Sequence, residues 1–239
     1  MSAFRFKRFT VNNDRAAMKV GTDTVLLGAT VSLQVSDQRV LDAGTGTGAV
    51  ALMLAQRYTD MGRIPDITGI DIDIPSAEEA RSNFATSPWS RIIHAEAASL
   101  QQYRPNGPID LVVSNPPYFD SSLQAPDERR NTARHAVGNS MSYRDLVTFA
   151  ADHLSDNGRL AIILPSDQER AMLRCARGFG LFPSRITRFR TTSRKAPARF
   201  VAELSRLRSD SAEILVTMQH EGEYTPEYIS LVKDFYLNV

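Results

Sequence analysis

Five short strand-like runs set the limits on the fold: Arg39–Ala43, Ile67–Ile70, Arg91–His94, Ile109–Val113 and Leu160–Leu164. Helix-period segments over 49–58, 76–86, 141–154 and 166–177 are interleaved with them. Apolar runs this short suit strands buried on both faces, and parallel strands need crossover segments of this length. The alternation predicts an α/β fold with a doubly wound, mostly parallel sheet, whose ligands sit at the carboxyl ends of the strands. Beyond residue 177, runs at about 185–191, 199–205 and 213–218 follow with no intervening helix. An antiparallel strand is therefore expected near the C-terminal edge, and a last helix over Pro226–Tyr236.

The fourth strand runs straight into Ser114-Asn115-Pro116-Pro117-Tyr118-Phe119. Two prolines end the strand and hold the chain extended, because each fixes its own φ and restricts the residue before it. The result is a rigid ledge carrying an amide side chain, proline carbonyls and two aromatic rings. That set suits a flat molecule with an exocyclic amino group. A lone Asn-Pro is more often a plain turn; its specificity comes from what lies upstream.

Upstream, Asp42 ends the first strand, and Gly44-Thr45-Gly46-Thr47-Gly48 turns it into a helix. Glycines allow positive φ and close approach of a ligand to the backbone. Gly44, Gly46 and Ala49 also satisfy the dinucleotide fingerprint, a weak signal alone. Asp42 suits a cationic ligand better than a pyrophosphate, and Asp71 comes late for the usual spacing because a loop at 59–65 lengthens the unit. Asp71, closing the second strand, can accept both ribose hydroxyls of an adenosine, with Ile72 against the adenine. Glu96, after the third strand, could accept from the adenine amino group or simply be solvated. Asp73 can start the next helix, whose Pro75-Ser76-x-x-Glu79 has the form of a capping box. Lys19, Gly21 and Thr22 lie where a helix start, capped by Thr22 or Asp23, would meet a ligand carboxylate.

With 239 residues, 42% hydrophobic and 23% charged, the chain suits one large domain. It divides into an N-terminal cap segment (1–35), a core (36–178) and C-terminal strands with a helix (179–239). One cysteine, Cys175, leaves no internal disulfide and no thiolate cluster for a metal. The absence of a long apolar stretch or leader points to the cytoplasm. Net charge is +1, so nucleic-acid binding would depend on local patches. Phe4-Arg5-Phe6-Lys7-Arg8-Phe9 alternates with the strand period: either an amphipathic strand over a core, or an aromatic and basic rim in which Lys7 and Arg8 meet RNA phosphates. The other basic candidates are Arg129, Arg130 and Arg134 in the polar 120–140 stretch, and Arg194, Lys195 and Arg199 in the arginine-rich 185–208 segment. His135 has no partner that would make it a general base.

The glycine turn, the acidic second-strand end and Asn-Pro-Pro-Tyr, in that order, resemble the amino methyltransferases that use S-adenosylmethionine. Phe4–Phe9, Asp14–Asp23, Ser114–Phe119 and the closing Tyr224-Thr225-Pro226-Glu227-Tyr228 through Asp234–Leu237 are similar to the bacterial tRNA1(Val) adenine-N6 methyltransferase family. The resemblance runs over most of the chain and implies a Rossmann-like class I methyltransferase with a seven-stranded sheet. It implies S-adenosylmethionine across Gly44, Thr45, Gly46 and Gly48, with Asp42 near the sulfonium, and a tRNA partner. Asn115, Pro116, Pro117 and Tyr118 would then hold the reacting adenine, with Phe119 on the substrate side. A monomer is expected. Methyl transfer to another amine or amide, in DNA or a protein glutamine, remains open. So do an NAD-dependent oxidoreductase, which has no use for Asn115 or Tyr118, and a catalytically silent RNA-binding module.

Overall fold

A computed structural model describes residues 3–117 and 141–238. Its centre is an eight-stranded sheet. The strands are β3 (Arg39–Ala43), β4 (Asp66–Asp71), β5 (Ile93–Ala97), β6 (Ile109–Ser114), β7 (Leu154–Pro165), β8 (Phe182–Arg190), β9 (Arg199–Ser205) and β10 (Ala212–Thr217). Their spatial order is β5-β4-β3-β6-β7-β9-β8-β10. The first and fourth runs of the sequence are parallel neighbours, with Val40 opposite Leu111 and Asp42 opposite Val113. β9 alone runs against its neighbours β7 and β8. β10, the last of the eight runs in the sequence, adds to β8 in parallel and forms the edge, which gives one strand more than the seven implied by the resemblance.

The helices are α1 (Thr22–Thr30), α2 (Ala49–Asp60), α3 (Ile74–Ala85), α4 (Tyr143–His153), α5 (Glu169–Gly178) and α6 (Pro226–Val232). Leu26, Leu52, Phe84 and Tyr228 place α1, α2, α3 and α6 over one face of the sheet. Leu146, Phe149, Met172 and Ala176 place α4 and α5 over the other. Strand side chains alternate between these cores: Leu111 and Val113 enter the first, Val112 the second. No helix among the described residues is long and apolar enough to cross a membrane.

Local chemistry moved several expected boundaries. The opening alternation is broken by a bend between β1 (Ala3–Arg5) and β2 (Thr10–Asn12), closed by Phe6 N–H donating to the Phe9 carbonyl at 2.9 Å. Phe6 and Phe9 then stack, centroids 4.4 Å apart, and both are buried. β7 begins at Leu154, so Asp156-Asn157-Gly158 lies within a strand instead of ending a helix. A Cβ at Gly158 would stand 2.6 Å from the Ile109 carbonyl oxygen, and the β6–β7 register shifts there. Gly21, not Thr22 or Asp23, occupies the N-cap of α1, without a side-chain cap. Asp73 does cap α3, accepting from Ser76 N–H at 3.0 Å and Ser76 Oγ at 2.7 Å.

Candidate active site

The turn after β3 works through its backbone. Gly44, Gly46 and Gly48 have φ of 73°, 55° and 82°, values that β-carbons resist. Gly44 and Thr45 N–H both donate to the Ile70 carbonyl at 2.9 Å, which ties the turn to the end of β4. Gly46 N–H donates to Asp71 Oδ2 at 2.9 Å, and Asp73 N–H to Asp71 Oδ1 at 2.9 Å. Each carboxylate oxygen keeps a further lone pair for a hydroxyl. Burial raises the Asp71 carboxyl against the pull of those two N–H groups.

Asp42 is fully enclosed at the base of the turn. Its Oδ2 accepts from Thr45 Oγ1 at 2.8 Å and Ala51 N–H at 3.2 Å. Burial pushes its carboxyl up to about 7 despite those bonds, and the Asp71 charge adds to the rise. Thr45 thus supports Asp42, and its hydroxyl fills the space a side chain at Gly69 would need. Gly48 is structural too: a Cβ there would stand 2.2 Å from the Phe84 ring.

A chain segment before α1 closes one side of the site, held there by α3. Glu79, the expected capping-box partner, instead points across to this segment. Its carboxylate accepts N–H from Asp14 (2.8 Å), Arg15 (3.0 Å) and Ala16 (2.8 Å), while buried to 4% exposure. Asn83 adds a second clasp, accepting from Asn12 N–H at 2.9 Å and donating to the Asn12 and Thr47 carbonyls. These bonds place Ala17 and Met18 in the wall of a cleft of about 340 Å³, with Gly44, Gly46, Asp71, Ile72 and Asn115 also lining it.

The ledge forms the remaining side. Ser114 Oγ donates to the Ala43 carbonyl at 2.7 Å, which locks the end of β6 to β3. Asn115 follows, half-buried, with Nδ2 donating to Thr24 Oγ1 at 3.4 Å; Pro116 is buried and Pro117 exposed at the cleft. Lys19, Thr24, Asp42 and Asn115 share a smaller recess behind the glycines.

Other sequence candidates fall elsewhere. Glu96 is exposed on β5 and stays out of the cleft; Ala98, Ser99, Leu100 and Gln101 form the wall in its place. The polar pair Ser99 and Gln101 in an otherwise irregular segment was the available signal for that wall. Thr22 is exposed, and Gly21 serves as the helix cap. Arg8 pairs with Asp60 at 2.5 Å and lies 5.6 Å over the Trp89 ring, while Lys7 donates to the Lys233 carbonyl. Asp60 ends α2, which starts at the glycine turn and runs about 18 Å at 1.5 Å per residue. The structure therefore does not bring Lys7 and Arg8 to the ledge. Arg194 and Lys195 are exposed in the loop joining β8 to β9, at the carboxyl end of the sheet. Arg199 pairs with Asp23 at 2.9 Å, beside the Thr24 that meets Asn115. Tyr118, Phe119, Arg129, Arg130, Arg134 and His135 lie outside the described residues.

A glycine turn, an acidic strand end and a proline ledge around one cleft on this sheet define a methyltransferase, and residues 16–180 match the methyltransferase small domain. A crystal structure of a predicted O-methyltransferase from Agrobacterium tumefaciens shares the fold, with a TM-score of 0.64 at 18% identity, over 89% of this chain and 96% of that one. The chain is 41% identical over 241 residues to the tRNA1(Val) (adenine(37)-N6)-methyltransferase of Parabacteroides distasonis, covering 99% of this chain and 98% of that one. It is 40% identical over 237 residues to the enzyme of the same name from Trichodesmium erythraeum, covering 98% and 97%. The chain belongs to the tRNA1(Val) (adenine(37)-N6)-methyltransferase family.

Proposed function

We propose that this protein methylates the N6 amino nitrogen of an adenine in tRNA, the adenine 3′ to the anticodon of tRNA1(Val), using S-adenosylmethionine. The observation that carries the reading is the placement of Asn115 in the same cleft as Gly44, Gly46 and Asp71. A group able to orient an amine thus adjoins a site suited to an adenosine. Relatives alike over nearly the whole chain support the tRNA substrate.

The residues present fit the cofactor. The Asp71 carboxylate is anchored by two backbone N–H groups and can accept from ribose hydroxyls. Ile72, 45% exposed at the cleft, offers an apolar surface to the cofactor's adenine. Gly46, lacking a side chain, leaves room at the turn, and Asp42 lies behind it with a carboxyl that a cation would help ionise. When bound, S-adenosylmethionine supplies a methyl group on a cationic sulfur.

The chain's own work is positioning. Asn115 Nδ2 donates to Thr24 Oγ1, and the Asn115 oxygen and the Pro116 carbonyl would accept the two N–H groups of the substrate amine. Held this way, the nitrogen aims its lone pair at the methyl carbon. With the cofactor bound, its methyl group would be supplied to that nitrogen, whose extra proton would pass to water. Because the methyl donor would be activated by its own positive charge, the chain's contribution is orientation of the amine rather than a strong base.

The test is incubation with methyl-labelled S-adenosylmethionine and total bacterial tRNA, followed by nucleoside analysis. Label in N6-methyladenosine of tRNA1(Val) is the expected result. Label confined to protein or to another nucleoside would overturn the reading.

A further inference from the structure

We infer that the exposed face of α5 is a docking ridge for the phosphate backbone of the tRNA stem, a surface that resemblance and motif do not assign. The inference rests on the proposed tRNA substrate.

Arg170, Arg174 and Arg177 recur at helical spacing and are all exposed, while Met172 and Ala176 turn to the core. At 1.5 Å per residue the row extends about 10 Å along the helix, long enough to follow successive phosphates of one strand. None of the three forms an ion pair among the described residues. The nearest acid in the helix is already neutralised: Glu169 is gripped by Arg188, with Nη2 to Oε1 at 2.6 Å and Nε to Oε2 at 2.9 Å. Arg188 also holds Glu213 at 2.9 Å, so one guanidinium compensates both carboxylates. Asp167 and the paired Glu169 line the groove beside the row, and Asp210 shares a recess with Arg177 and Arg208 at its far end, so the arginines outnumber the unpaired acids around them. In a chain whose net charge is +1, such a segregated row creates a local field that the whole molecule lacks.

Position ties the row to the site. α5 follows β7, whose partner β6 delivers Asn115, and Ser114 lies opposite Ile162. The helix therefore begins at the same end of the sheet as the ledge and runs away from it. Its start is joined to the loop of Arg194 and Lys195 through Ser166 N–H, which donates to the Ala198 carbonyl at 3.1 Å. An open groove of about 630 Å³ runs beside the row, lined by Ser166, Leu173 and the three arginines together with Asp167 and Glu169. An RNA with a base seated at Asn115 thus finds the start of α5 at the same end of the sheet. Three guanidiniums without acid partners match a phosphodiester strand better than an acidic protein, because they offer forked donors at a regular rise.

The experiment measures binding of a labelled tRNA1(Val) transcript by fluorescence anisotropy over a salt series, for wild type, R170E/R174E/R177E and R170K/R174K/R177K. S-adenosylmethionine titration and a thermal melt check each protein. The reversal variant should bind about 10-fold or more weakly at physiological salt and lose about 3 units of salt slope, near one per phosphate. The lysine variant should keep most of the slope, and all three should bind cofactor alike. An unchanged affinity and slope in the reversal variant would overturn the inference while leaving methylation of tRNA intact. Salt-dependent binding through α5 by a protein that transfers no methyl group to tRNA would sink the proposed function and sustain the docking ridge.

Discussion

Replacing Glu79 with Gln tests whether the segment before α1 is part of the cofactor site. The carboxylate accepts two N–H groups at Oε1, from Asp14 and Arg15, and one at Oε2, from Ala16. A Gln can present its single oxygen to the first pair, which leaves its amide NH₂ facing the Ala16 N–H, donor against donor. Ala16 is 8% exposed, so water cannot readily replace the lost acceptor. Losing one charge-assisted bond and stranding a buried donor costs about 2–4 kcal/mol. Two further bonds and the Asn83 clasp remain, so the effect should be local release of residues 14–18 with only a small fall in melting temperature. If about 2 kcal/mol of that cost must be repaid to seat Met18 and Ala17 in the cleft wall, cofactor affinity falls about 30-fold. Calorimetric titration with S-adenosylmethionine and its demethylated product reads the affinity, and hydrogen exchange at residues 14–17 reads the release. Faster exchange with wild-type affinity would show that the segment covers the cleft without contributing to it.

Asp71→Ala should weaken cofactor binding by roughly 10²-fold, two charge-assisted hydroxyl contacts being lost, and calorimetry checks it. Asn115→Ala should slow single-turnover methylation of tRNA by about 10²-fold or more with melting temperature and cofactor affinity kept; a wild-type rate would end the orientation mechanism. The Asp42 carboxyl, raised from 3.8 to about 7, gives a stabilising contribution that is complete below the unfolded value and lost as pH rises through about 7. Denaturant melts of cofactor-free protein from about pH 5 to about pH 8 should show that decline, flattened in Asp42→Asn. Gly48→Ala drives a Cβ into the Phe84 ring at φ 82°, and a thermal melt should show a loss of several degrees or failure to fold.

The sheet was readable because its strands are consecutive apolar runs, and the order of helices between them fixes parallel pairing. The glycine turn, Asp71 and Asn115 were readable for a similar reason: each follows a strand immediately, and strand ends converge. Contacts that join distant parts of the chain left no such trace. Glu79 and its donors are 63 to 65 residues apart, and a glutamate three positions after a serine fits a capping box just as well. Lys7 and Arg8 lie away from the ledge, which alternation could not reveal, because it shows which side of a strand a residue faces but not which end of the molecule the strand reaches. Glu96 pairs with Ile70 across the sheet, one step before the cleft wall begins where the chain leaves β5, a distinction that the sequence alone does not carry. The arginine row on α5 was visible as composition, but its separation from acids depends on Arg188 reaching Glu169 from another strand.

The two ends of the sheet divide the electrostatic labour. At the amino ends of the strands, buried Arg159 grips Asp37 with Nη2 to Oδ2 at 2.8 Å and Nη1 to Oδ1 at 2.9 Å. Tyr58 donates to the same carboxylate at 2.5 Å. Glu203 takes Arg185 and the Ser32 hydroxyl nearby. Burial would raise the Asp37 carboxyl, but the Arg159 and Tyr58 hydrogen bonds outweigh it and hold it below the usual range. Such buried pairs contribute little net stability, yet removing one member costs about 3–5 kcal/mol, so they fix how α1, α2, β7 and β9 meet. The carboxyl ends are arranged the other way. There the glycine turn leaves room for a ligand beside its backbone, Asp71 keeps lone pairs for that ligand, and Arg194 and Lys195 face solvent. A site for a cationic cofactor and a polyanionic substrate needs charges left unneutralised within one cleft, which disfavours the folded state. Rigid pairing at the opposite end holds the strands in register while their functional ends remain open.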